Sequence, residues 1–345
     1  WWGLEYGPCG PDSEMFYIAD RPDCGPNCGP GCDCGKYTEL GNDVFMQYEK
    51  HHDGHLTPLK QKNVDTGMGL ERTICVLNGK KSVYETDAFT GILAKIEELC
   101  GKKYTPDDEN TRAFRIVADH MRTSTFIIGD PRGIGPSNVG QGYILRRLIR
   151  RAVRYGMGLG LQEGFTAEIA KVIIDQYKAV YPELEQNKAF VLEQLTLEEG
   201  RFARTLKQGE KEFDKVMNNL RRTREAMEKI LADDTLAAAE EAVKTHVLRP
   251  QPDMVSAIEA VKAGDLAKVK AECQRIHDSL NVIDGRSAFK LYDTYGFPVD
   301  LTREMAEEEG LQLEQAAFDA LMQEQKVRAR EARKALGDLG WAGVE

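Results

Sequence analysis

Residues 63–73 read Asn-Val-Asp-Thr-Gly-Met-Gly-Leu-Glu-Arg-Thr, and this stretch indicates more about fold and function than any other in the chain. A predicted strand leads into two glycines separated by one residue, and a predicted helix follows. Gly67 and Gly69 lack Cβ atoms, so a planar ligand can lie against the backbone there. Arg72 offers a planar guanidinium to a phosphate, and Asp65 offers a carboxylate to a cationic group. The stretch therefore predicts a site for a nucleotide together with an amine.

Further motifs surround this stretch in a fixed order. They are Gly-Pro-Cys-Gly-Pro-Asp-Ser-Glu at 7–14, Asn-Asp-Val-Phe-Met-Gln-Tyr at 42–48, Ala-Asp-His-Met-Arg at 118–122, Pro-Ser-Asn-Val-Gly-Gln-Gly-Tyr at 136–143 and Leu-Tyr-Asp-Thr-Tyr-Gly-Phe-Pro-Val-Asp-Leu-Thr at 291–302. Together with residues 63–73, which match the third signature motif, they resemble class II aminoacyl-tRNA synthetases in the form seen in alanyl-tRNA synthetases. The resemblance covers most of the chain, except residues 241–284.

The resemblance implies an α+β fold, in which part of the class II synthetase antiparallel sheet is followed by a mostly helical tRNA-recognition domain. Residues 1–95 would form the C-terminal part of the class II catalytic core with a cysteine-rich zinc insert, and residues 96–345 the helical domain. Residues 241–284 would be a helical insertion that is atypical of the family. The first two signature motifs and the editing domain of the family would lie outside the chain.

The local patterns predict the same order of elements. Aromatic and β-branched residues favour strands at 14–18 and 36–50, and Asp53-Gly54 is a hairpin-turn signal. A helix is predicted at 70–77, and from Asp87 onward apolar residues recur at spacings of three and four, as in amphipathic helices. These helices are predicted at 89–100, 110–126, 142–155, 165–180, 182–231, 255–280 and 306–336, the last ending near Gly337 and Gly340.

The composition is that of an ordinary soluble protein, with 41% hydrophobic and 30% charged residues. The sequence contains no run of about eighteen apolar residues and no secretory leader pattern, so we expect no contact with a membrane and a cytoplasmic location. The net charge of −10 argues against indiscriminate binding to nucleic acids, because such binding depends on an excess of Lys and Arg.

Four of the eight cysteines are clustered with the spacing C-x3-C-x3-C-x-C. The Gly-Pro pairs between them force tight turns, which can bring four thiolates around one ion. A site made of four sulphur atoms is closed to substrate, so the predicted zinc ion would be structural. The alternative is a set of reduced surface thiols. The cluster consists of Cys24, Cys28, Cys32 and Cys34.

The resemblance implies specific roles for the third motif. Asp65 would pair with the α-ammonium group of alanine, and Arg72 would contact the terminal phosphates of ATP, which acts together with Mg²⁺. Gly67 and Gly69 would flank the adenine. From the residues alone, an ion pair between Asp65 and Arg72 is the alternative, and the two adjacent glycines argue against it.

Trp2 and Val44 match family positions that wall the pocket for the amino-acid side chain. An indole and a branched aliphatic side chain can exclude larger substrates, but such a pocket discriminates poorly against glycine or serine. Ordinary core packing is the alternative for both residues. Gly41 stands where the family pattern has a tryptophan, which would loosen the same wall.

Five arginines fall within one arc of the helix predicted at 142–155, and its apolar residues lie mostly on the other side. Guanidinium groups this close together repel one another unless anions lie against them, and an RNA backbone is such an anion. The alternative is a solvated face paired with nearby glutamates. Four of the arginines are predicted to bind tRNA, and Arg154 lies on the same arc; the four are Arg146, Arg147, Arg150 and Arg151.

The resemblance also implies that Asn138 and Asp293 approach a G·U pair in the acceptor stem of tRNA-Ala from opposite sides. The shallow minor groove of RNA exposes the guanine amino group, which needs an acceptor such as a carboxylate or amide oxygen. From sequence alone, Asn138 is a loop residue and Asp293 is a helix cap. If the resemblance holds, the two side chains converge across a cleft beside the arginine face.

The function implied by the resemblance is that of an alanine–tRNA ligase, which joins alanine to tRNA-Ala through an alanyl-adenylate formed from ATP. The second-motif arginine, which would hold the α-phosphate, is not in the chain, so we expect the chain alone to form no adenylate. Its partners would include the missing N-terminal catalytic segment or a separate subunit. The alternative functions are a noncatalytic tRNA-binding relative of the synthetases and one subunit of a split synthetase.

Overall fold

The computed structural model describes residues 1–335 of the chain. These residues belong to two compact units, the first formed by residues 1–134 and 155–192 and the second by residues 135–154 and the chain from residue 193 onward. None of the helices in residues 1–335 combines the length and the hydropathy that crossing a membrane requires. The predicted helix end near Gly337 and Gly340 lies outside the described residues.

The first unit contains a five-stranded antiparallel sheet, whose strands are β1 (Trp2–Gly3), β2 (Gly7–Gly10), β3 (Asp12–Ile18), β4 (Tyr37–Lys50) and β5 (Leu56–Met68). The long strand β4 pairs with β2, β3 and β5, and β1 is joined to it through β2. The predicted hairpin turn at Asp53-Gly54 is confirmed, because His51 N donates to His55 O at 3.0 Å and Gly54 has φ = +86°. The antiparallel sheet and the helices after it confirm the α+β fold.

The helices follow the sheet along the chain and confirm most of the predicted ones. They are α1 (Leu70–Leu77), α2 (Asp87–Cys100), α3 (Thr111–Gly129), α4 (Gly140–Leu159), α5 (Phe165–Tyr177), α6 (Pro182–Gln186), α7 (Lys188–Ala232), α8 (Ala237–Lys244), α9 (Val255–Ala263), α10 (Leu266–Ser279), α11 (Gly285–Tyr295), α12 (Val299–Glu308) and α13 (Gln315–Ala335). Two short parallel strands lie among them, β6 (Val282–Ile283) and β7 (Gln312–Leu313).

Three of the predicted helices are interrupted, so those bounds were wrong. The helix predicted at 182–231 divides at Asn187 into α6 and α7. The helix predicted at 255–280 divides at Gly264, which has φ = +74°, and the one predicted at 306–336 is broken at Gly310, which has φ = +72°. Left-handed glycines end helices because no Cβ opposes that backbone conformation. As a result, α12 is a short helix separate from α13.

Each unit has a well-packed core. In the first unit α2, α3 and α5 contact one another, and their fully buried side chains include Ile92, Ile96, Phe114, Val117, Ile169 and Ile173. Residues from the predicted insertion 241–284 build a further apolar cluster with the C-terminal part of α7. Its members include Met227, Ile230, Leu248, Met254, Val269, Cys273 and Ile276. The predicted insertion is therefore a packed helical structure.

A close approach inside the second unit gives a first stability prediction. A Cβ atom added at Gly209 in α7 would lie 2.0 Å from the ring of Phe297, a fully buried side chain. Gly209→Ala should therefore lower the free energy of unfolding by about 1–3 kcal/mol, because the ring has no space to move. Chemical denaturation followed by helical circular dichroism measures this change. The control is Gly158→Ala in α4, where a Cβ meets nothing within 4 Å and the free energy should not fall. Equal stability of both variants would contradict the prediction.

Candidate functional site

The third-motif stretch forms the end of β5 and the start of α1. In the sheet register Val44 lies opposite Asp65, and Asn42 lies opposite Gly67. Val44 is buried and Asp65 is exposed, and no described residue makes an ion pair or side-chain hydrogen bond with the Asp65 carboxylate. The structure thus brings three of the predicted substrate-binding residues onto adjacent strands, with a carboxylate available to an ammonium group.

Arg72, near the start of α1, is anchored to Glu39 of strand β4. Its Nη1 donates to the backbone oxygen of Glu39 at 2.6 Å and lies 3.5 Å from the Glu39 carboxylate. A Cβ at Gly69 would lie 2.6 Å from Arg72 Nε, so the missing side chain at 69 makes room for this arginine. The ion pair considered between Asp65 and Arg72 is not formed, since Glu39 is the partner of Arg72. A guanidinium has five N–H donors, so most of them are left for a phosphate.

The two predicted wall residues differ in their surroundings. Val44 is 4% exposed in the core of the sheet, whereas Trp2 is 40% exposed. Trp2 lies on β1, which reaches β4 only through β2, so the structure does not place it beside Val44 in the sheet. At Gly41 a Cβ would lie 2.3 Å from the Gly67 backbone oxygen, so a side chain there is incompatible with this strand spacing.

The four clustered cysteines lie in the loop between β3 and β4. Tight turns shape this loop: Cys28 N donates to Gly25 O at 3.1 Å, and Cys32 N donates to Gly29 O at 2.9 Å. The four sulphur atoms of the cluster lie within 4.8 Å of one another. In residues 1–335 no other group of three or more His, Cys, Asp or Glu side chains is arranged to hold a metal ion.

The sulphur positions are close to those of a tetrahedral zinc site, with one pair nearer together than bound zinc would hold it. Zn–S bonds of about 2.3 Å separate the ligands of a tetrahedral site by about 3.8 Å. The Cys28 and Cys34 sulphurs are 3.8 Å apart, and those of Cys24 and Cys32 are 3.1 Å apart. A hydrogen bond with the backbone of Lys36 lowers the pKa of Cys34 to about 7, whereas the hydrogen bond with Cys32 raises the pKa of Cys24 to about 12, because neighbouring thiols cannot all ionise without a cation between them. The donor set is therefore suited to zinc in a closed, structural site.

Four of the five arginines of α4 form ion pairs within the second unit. Three of these pairs join α4 to an acidic stripe on α12, whose members are spaced by four residues. The pairs are Arg147–Asp300 at 3.1 Å, Arg150–Glu198 at 2.6 Å, Arg151–Glu304 at 2.7 Å and Arg154–Glu308 at 2.7 Å. This pairing matches the alternative interpretation of the arginine face. A tRNA contact of Arg147, Arg150 or Arg151 stays a prediction.

Arg146 differs from the other arginines of α4. No described residue makes a hydrogen bond or ion pair with its guanidinium. Burial lowers the pKa of Arg146, and the like charge of Arg150 lowers it further. The Glu198 carboxylate opposes both effects only in part, because it is paired with Arg150, and a bound anion would relieve them further. Among the four predicted tRNA-binding arginines, Arg146 is thus the one without an ion pair in the described residues.

Asn138 lies in a compact loop directly before α4. The loop folds over the first turn of the helix, where Ser137 N donates to Gly142 O at 3.0 Å and Ser137 Oγ donates to Val139 O at 2.9 Å. A Cβ at Gly142 would lie 2.4 Å from Ser137 Oγ, so only glycine permits this contact. The Asn138 side chain is exposed, and no described residue bonds to it.

Asp293 lies in the last turn of α11 and is not a helix cap. The N-cap of α11 is Asp284, whose carboxylate accepts from Ser287 N, and the helix ends at a left-handed Gly296. Asp293 is exposed, and its Oδ1 accepts a hydrogen bond from Gln325 Nε2. A carboxylate is unfavourable at a helix C-terminus, because the helix dipole is negative there. The position of Asp293 therefore has no helix-capping explanation.

Two tyrosines lie close to the loop that carries Asn138 and to the helix that carries Asp293. Tyr143 is in the first turn of α4, and Tyr292 directly precedes Asp293. Burial raises the pKa of Tyr143 to about 12, with added contributions from its hydrogen bond to Asp300 and from nearby Tyr292. Tyr143 bonds to Asp300 in α12, which contacts α11, so the two segments share one neighbourhood of the second unit. Convergence of the two side chains on one ligand stays a prediction.

Sequence reasoning missed the residues that connect these segments. Tyr143 donates its hydroxyl hydrogen to Asp300 Oδ2 at 2.7 Å, and Arg147 Nε lies 3.1 Å from the same oxygen. The sequence does contain a signal for these contacts, because Asp300, Glu304 and Glu308 recur at the spacing of a helix face, as the arginines of α4 do. The contact joins residues far apart in sequence, so the spacing alone did not show that the two stripes meet.

Comparison with known proteins identifies the family. The family model for tRNA synthetases class II (A) matches residues 1–237 and 258–340. The chain belongs to this family. The unmatched residues 238–257 include only the first part of the insertion that was predicted at 241–284, because residues 258–284 match the family model. The class II synthetase fold therefore accounts for both the sheet of the first unit and most of the helices.

The individual relatives that this chain resembles are alanine–tRNA ligases. It is 42% identical to the one from Treponema pallidum over 332 residues, which are 96% of this chain and 46% of that protein. It is 42% identical to the Treponema denticola protein over 321 residues, 92% of this chain and 44% of that protein. With the Caldicellulosiruptor saccharolyticus protein the identity is 39%, covering 99% of this chain and 33% of that protein. The chain spans less than half the length of these relatives.

Proposed function

We propose that the chain is part of an alanine–tRNA ligase, which activates alanine with ATP and transfers it to tRNA-Ala. The observation that carries the proposal is the 42% identity to an alanine–tRNA ligase over 96% of the chain. The free carboxylate and anchored guanidinium of the third motif support it, because these groups suit an amino acid and a nucleotide. A cytoplasmic location is part of the proposal, since a cysteine cluster suited to a metal ion is typical of a reducing compartment.

In the proposed active site Asp65 binds the α-ammonium group of alanine, and Arg72 binds the terminal phosphates of ATP. The exposed Asp65 carboxylate supports the first role, and the anchoring of Arg72 by Glu39 supports the second, because a fixed guanidinium loses little freedom on binding. Gly67 leaves the backbone open to the adenine, whereas the space at Gly69 holds the Arg72 guanidinium that would meet the phosphates. Mg²⁺ would neutralise charge on the ATP phosphates.

The proposed RNA contacts lie on the second unit. Asn138 would accept or donate hydrogen bonds at the G·U pair, Asp293 would accept one there, and Arg146 would bind a nearby backbone phosphate. The exposure of Asn138 and Asp293 supports these roles, and so does Arg146, whose guanidinium makes no hydrogen bond or ion pair with a described residue. Arg147, Arg150 and Arg151 would contribute mainly through the ion pairs that hold α4 in place.

The cysteine cluster is proposed to hold one structural zinc ion. Cys24, Cys28, Cys32 and Cys34 would be its ligands, which leaves no coordination position for substrate. The ion would fix the loop between β3 and β4, whose turns are mostly exposed. It would take no part in adenylate formation.

A second polypeptide segment is proposed to complete the active site. In the described residues β5 pairs only with β4, and its outer edge is exposed along with Val64 and Met68. An unpaired strand edge with exposed apolar side chains favours pairing with a further strand. The segment would carry the first two signature motifs, either in the same polypeptide or as a separate subunit.

The proposed activity is tested by ATP–pyrophosphate exchange with alanine. The chain alone should give exchange about 100- to 1,000-fold below that of the chain combined with the missing catalytic segment, because the α-phosphate then gains its second cationic partner. Aminoacylation of tRNA-Ala should show the same dependence.

In the combined enzyme Arg72→Ala should abolish exchange. The control is Arg132→Ala, which should leave exchange unchanged, because Arg132 is an exposed loop residue paired with Asp130. Robust exchange by the chain alone would refute the proposed division of labour.

A further inference from the structure

We propose that Asp300 is a positioning residue for tRNA specificity, which sets the placement of the Asn138 loop relative to the helix that carries Asp293. The inference rests on the proposed function, and it concerns a residue outside the predicted site. Its basis is a single partly buried carboxylate that joins the two segments.

The Asp300 carboxylate bonds to both sides of the contact between α4 and α12. Its Oδ2 accepts from the Tyr143 hydroxyl at 2.7 Å and lies 3.1 Å from Arg147 Nε. Its Oδ1 accepts from Arg303 Nη1 at 3.3 Å within α12. The side chain of Asp300 is only 17% exposed. Charge-assisted hydrogen bonds are stronger and more directional than neutral ones, so the carboxylate fixes the angle as well as the distance between the helices.

On the α4 side, the network reaches Asn138 through backbone contacts. Tyr143 N donates to Val139 O at 3.3 Å, and Gly142 O accepts from Ser137 N at 3.0 Å. Asn138 lies between the two loop residues that make these bonds. A shift of Tyr143 would therefore move the loop that presents the Asn138 side chain.

On the α12 side, the chain from Asp293 to Asp300 is short and tightly folded. The left-handed Gly296 ends α11, and Phe297 N then donates back to Leu291 O at 3.0 Å. Phe297 is fully buried against Gly209 of α7, which fixes this corner in the core. The carboxylates of Asp293 and Asp300 thus sit on either side of a rigid turn. By holding Tyr143, Asp300 therefore fixes the position of the Asn138 loop relative to Asp293.

The remaining ion pairs between α4 and α12 provide a matched comparison. Arg151–Glu304 and Arg154–Glu308 lie about one and two helical turns farther from the Asn138 loop. They join the same two helices with the same chemistry, but neither contacts Tyr143. If ion pairing between α4 and α12 served stability alone, the pairs at Asp300 and Glu304 would be equivalent for RNA binding.

The test measures binding of the 345-residue chain to two RNA acceptor-stem duplexes that differ only in one G·U or G·C pair. Asp300→Asn should reduce the ratio of the two affinities about tenfold, and Tyr143→Phe about threefold, while binding of the G·C duplex changes little. Glu304→Gln should keep the wild-type ratio.

Tyr143→Phe removes a single oxygen atom and should not disturb folding. It therefore tests the inference even if the Asp300 variant folds poorly. The double variant should lose less than the product of the two single losses, since both substitutions act on the same hydrogen-bond network.

Each outcome separates the inference from the proposed function. If the wild-type chain shows no preference for the G·U duplex, the proposed G·U recognition fails first. If the wild type shows the preference and both Tyr143→Phe and Asp300→Asn retain it, the positioning role of Asp300 is overturned. An equal loss of ratio in Glu304→Gln would also overturn it, because the effect would then belong to the helix contact in general.

Discussion

Replacing Cys28 with serine should yield a chain that purifies without zinc, whereas the wild-type chain should carry about one zinc ion per molecule. A serine hydroxyl is a poor zinc ligand at neutral pH, and three sulphurs cannot complete the closed tetrahedral site. Elemental analysis of both purified proteins measures the difference. Cys100→Ser is the control, because Cys100 is isolated from the cluster and its loss should leave the zinc content unchanged.

The expected effect on the loop is large because few other interactions order it. Apparent binding free energies of structural zinc reach about 10–16 kcal/mol in small sites, and this energy becomes folding energy where the site forms only with metal. The loop between β3 and β4 has mostly exposed residues, so loss of zinc should open it to proteases. Limited proteolysis of the Cys28 variant should cleave between residues 19 and 36 and leave α2 to α5 intact. Metal-free wild-type protein that resists cleavage as well as the zinc-loaded form would contradict a structural zinc site.

The elements that the sequence predicted correctly are those with local causes. The hairpin at Asp53-Gly54 follows from the backbone freedom of Gly54, and most helices follow from apolar residues that recur every three or four positions. The helix breaks at Gly264 and Gly310 had a visible signal, since both are glycines inside periodic segments. The apolar periodicity continues on both sides of these glycines and so predicts continuous helices. Two predicted helices were wrong for that reason.

The candidate site was predictable only where one motif holds it together. The glycines, carboxylate and arginine of residues 63–73 are contiguous, so their joint position followed from one hairpin and one helix start. The arginine face of α4 was also predictable as a face. Its ion pairs with α12 were not, because Asp300, Glu304 and Glu308 reach it through the packing of a distant helix. The same holds for the Glu39 anchor of Arg72, which depends on the strand register.

Asp293→Ala should remove most of the preference for an acceptor stem with a G·U pair over one with a G·C pair. An accepted hydrogen bond from the guanine amino group discriminates by about 1–3 kcal/mol, which is roughly a five- to 150-fold change in the affinity ratio. Total binding should fall far less, because phosphate contacts supply most of the affinity for RNA and are unaffected. Titration of the chain with the two duplexes at fixed salt measures both quantities.

The stability of the same variant distinguishes a binding role from a structural one. Asp293 lies in the last turn of α11, where removal of a carboxylate relieves about 0.3–1 kcal/mol of unfavourable interaction with the helix dipole. The variant loses the hydrogen bond from Gln325, which contributes about 1 kcal/mol. These terms nearly cancel, so the melting temperature should stay close to that of the wild type.

Gln325→Ala supplies the matched control for Asp293→Ala. It removes the same hydrogen bond and keeps the carboxylate, so the preference for the G·U stem should remain. An equal loss of affinity for both duplexes in Asp293→Ala would show that the carboxylate contributes to binding without reading the base pair. Loss of the preference in Gln325→Ala as well would assign the effect to the α11–α13 contact. Specificity lost at constant stability, in Asp293→Ala alone, is the outcome that a base-reading carboxylate requires.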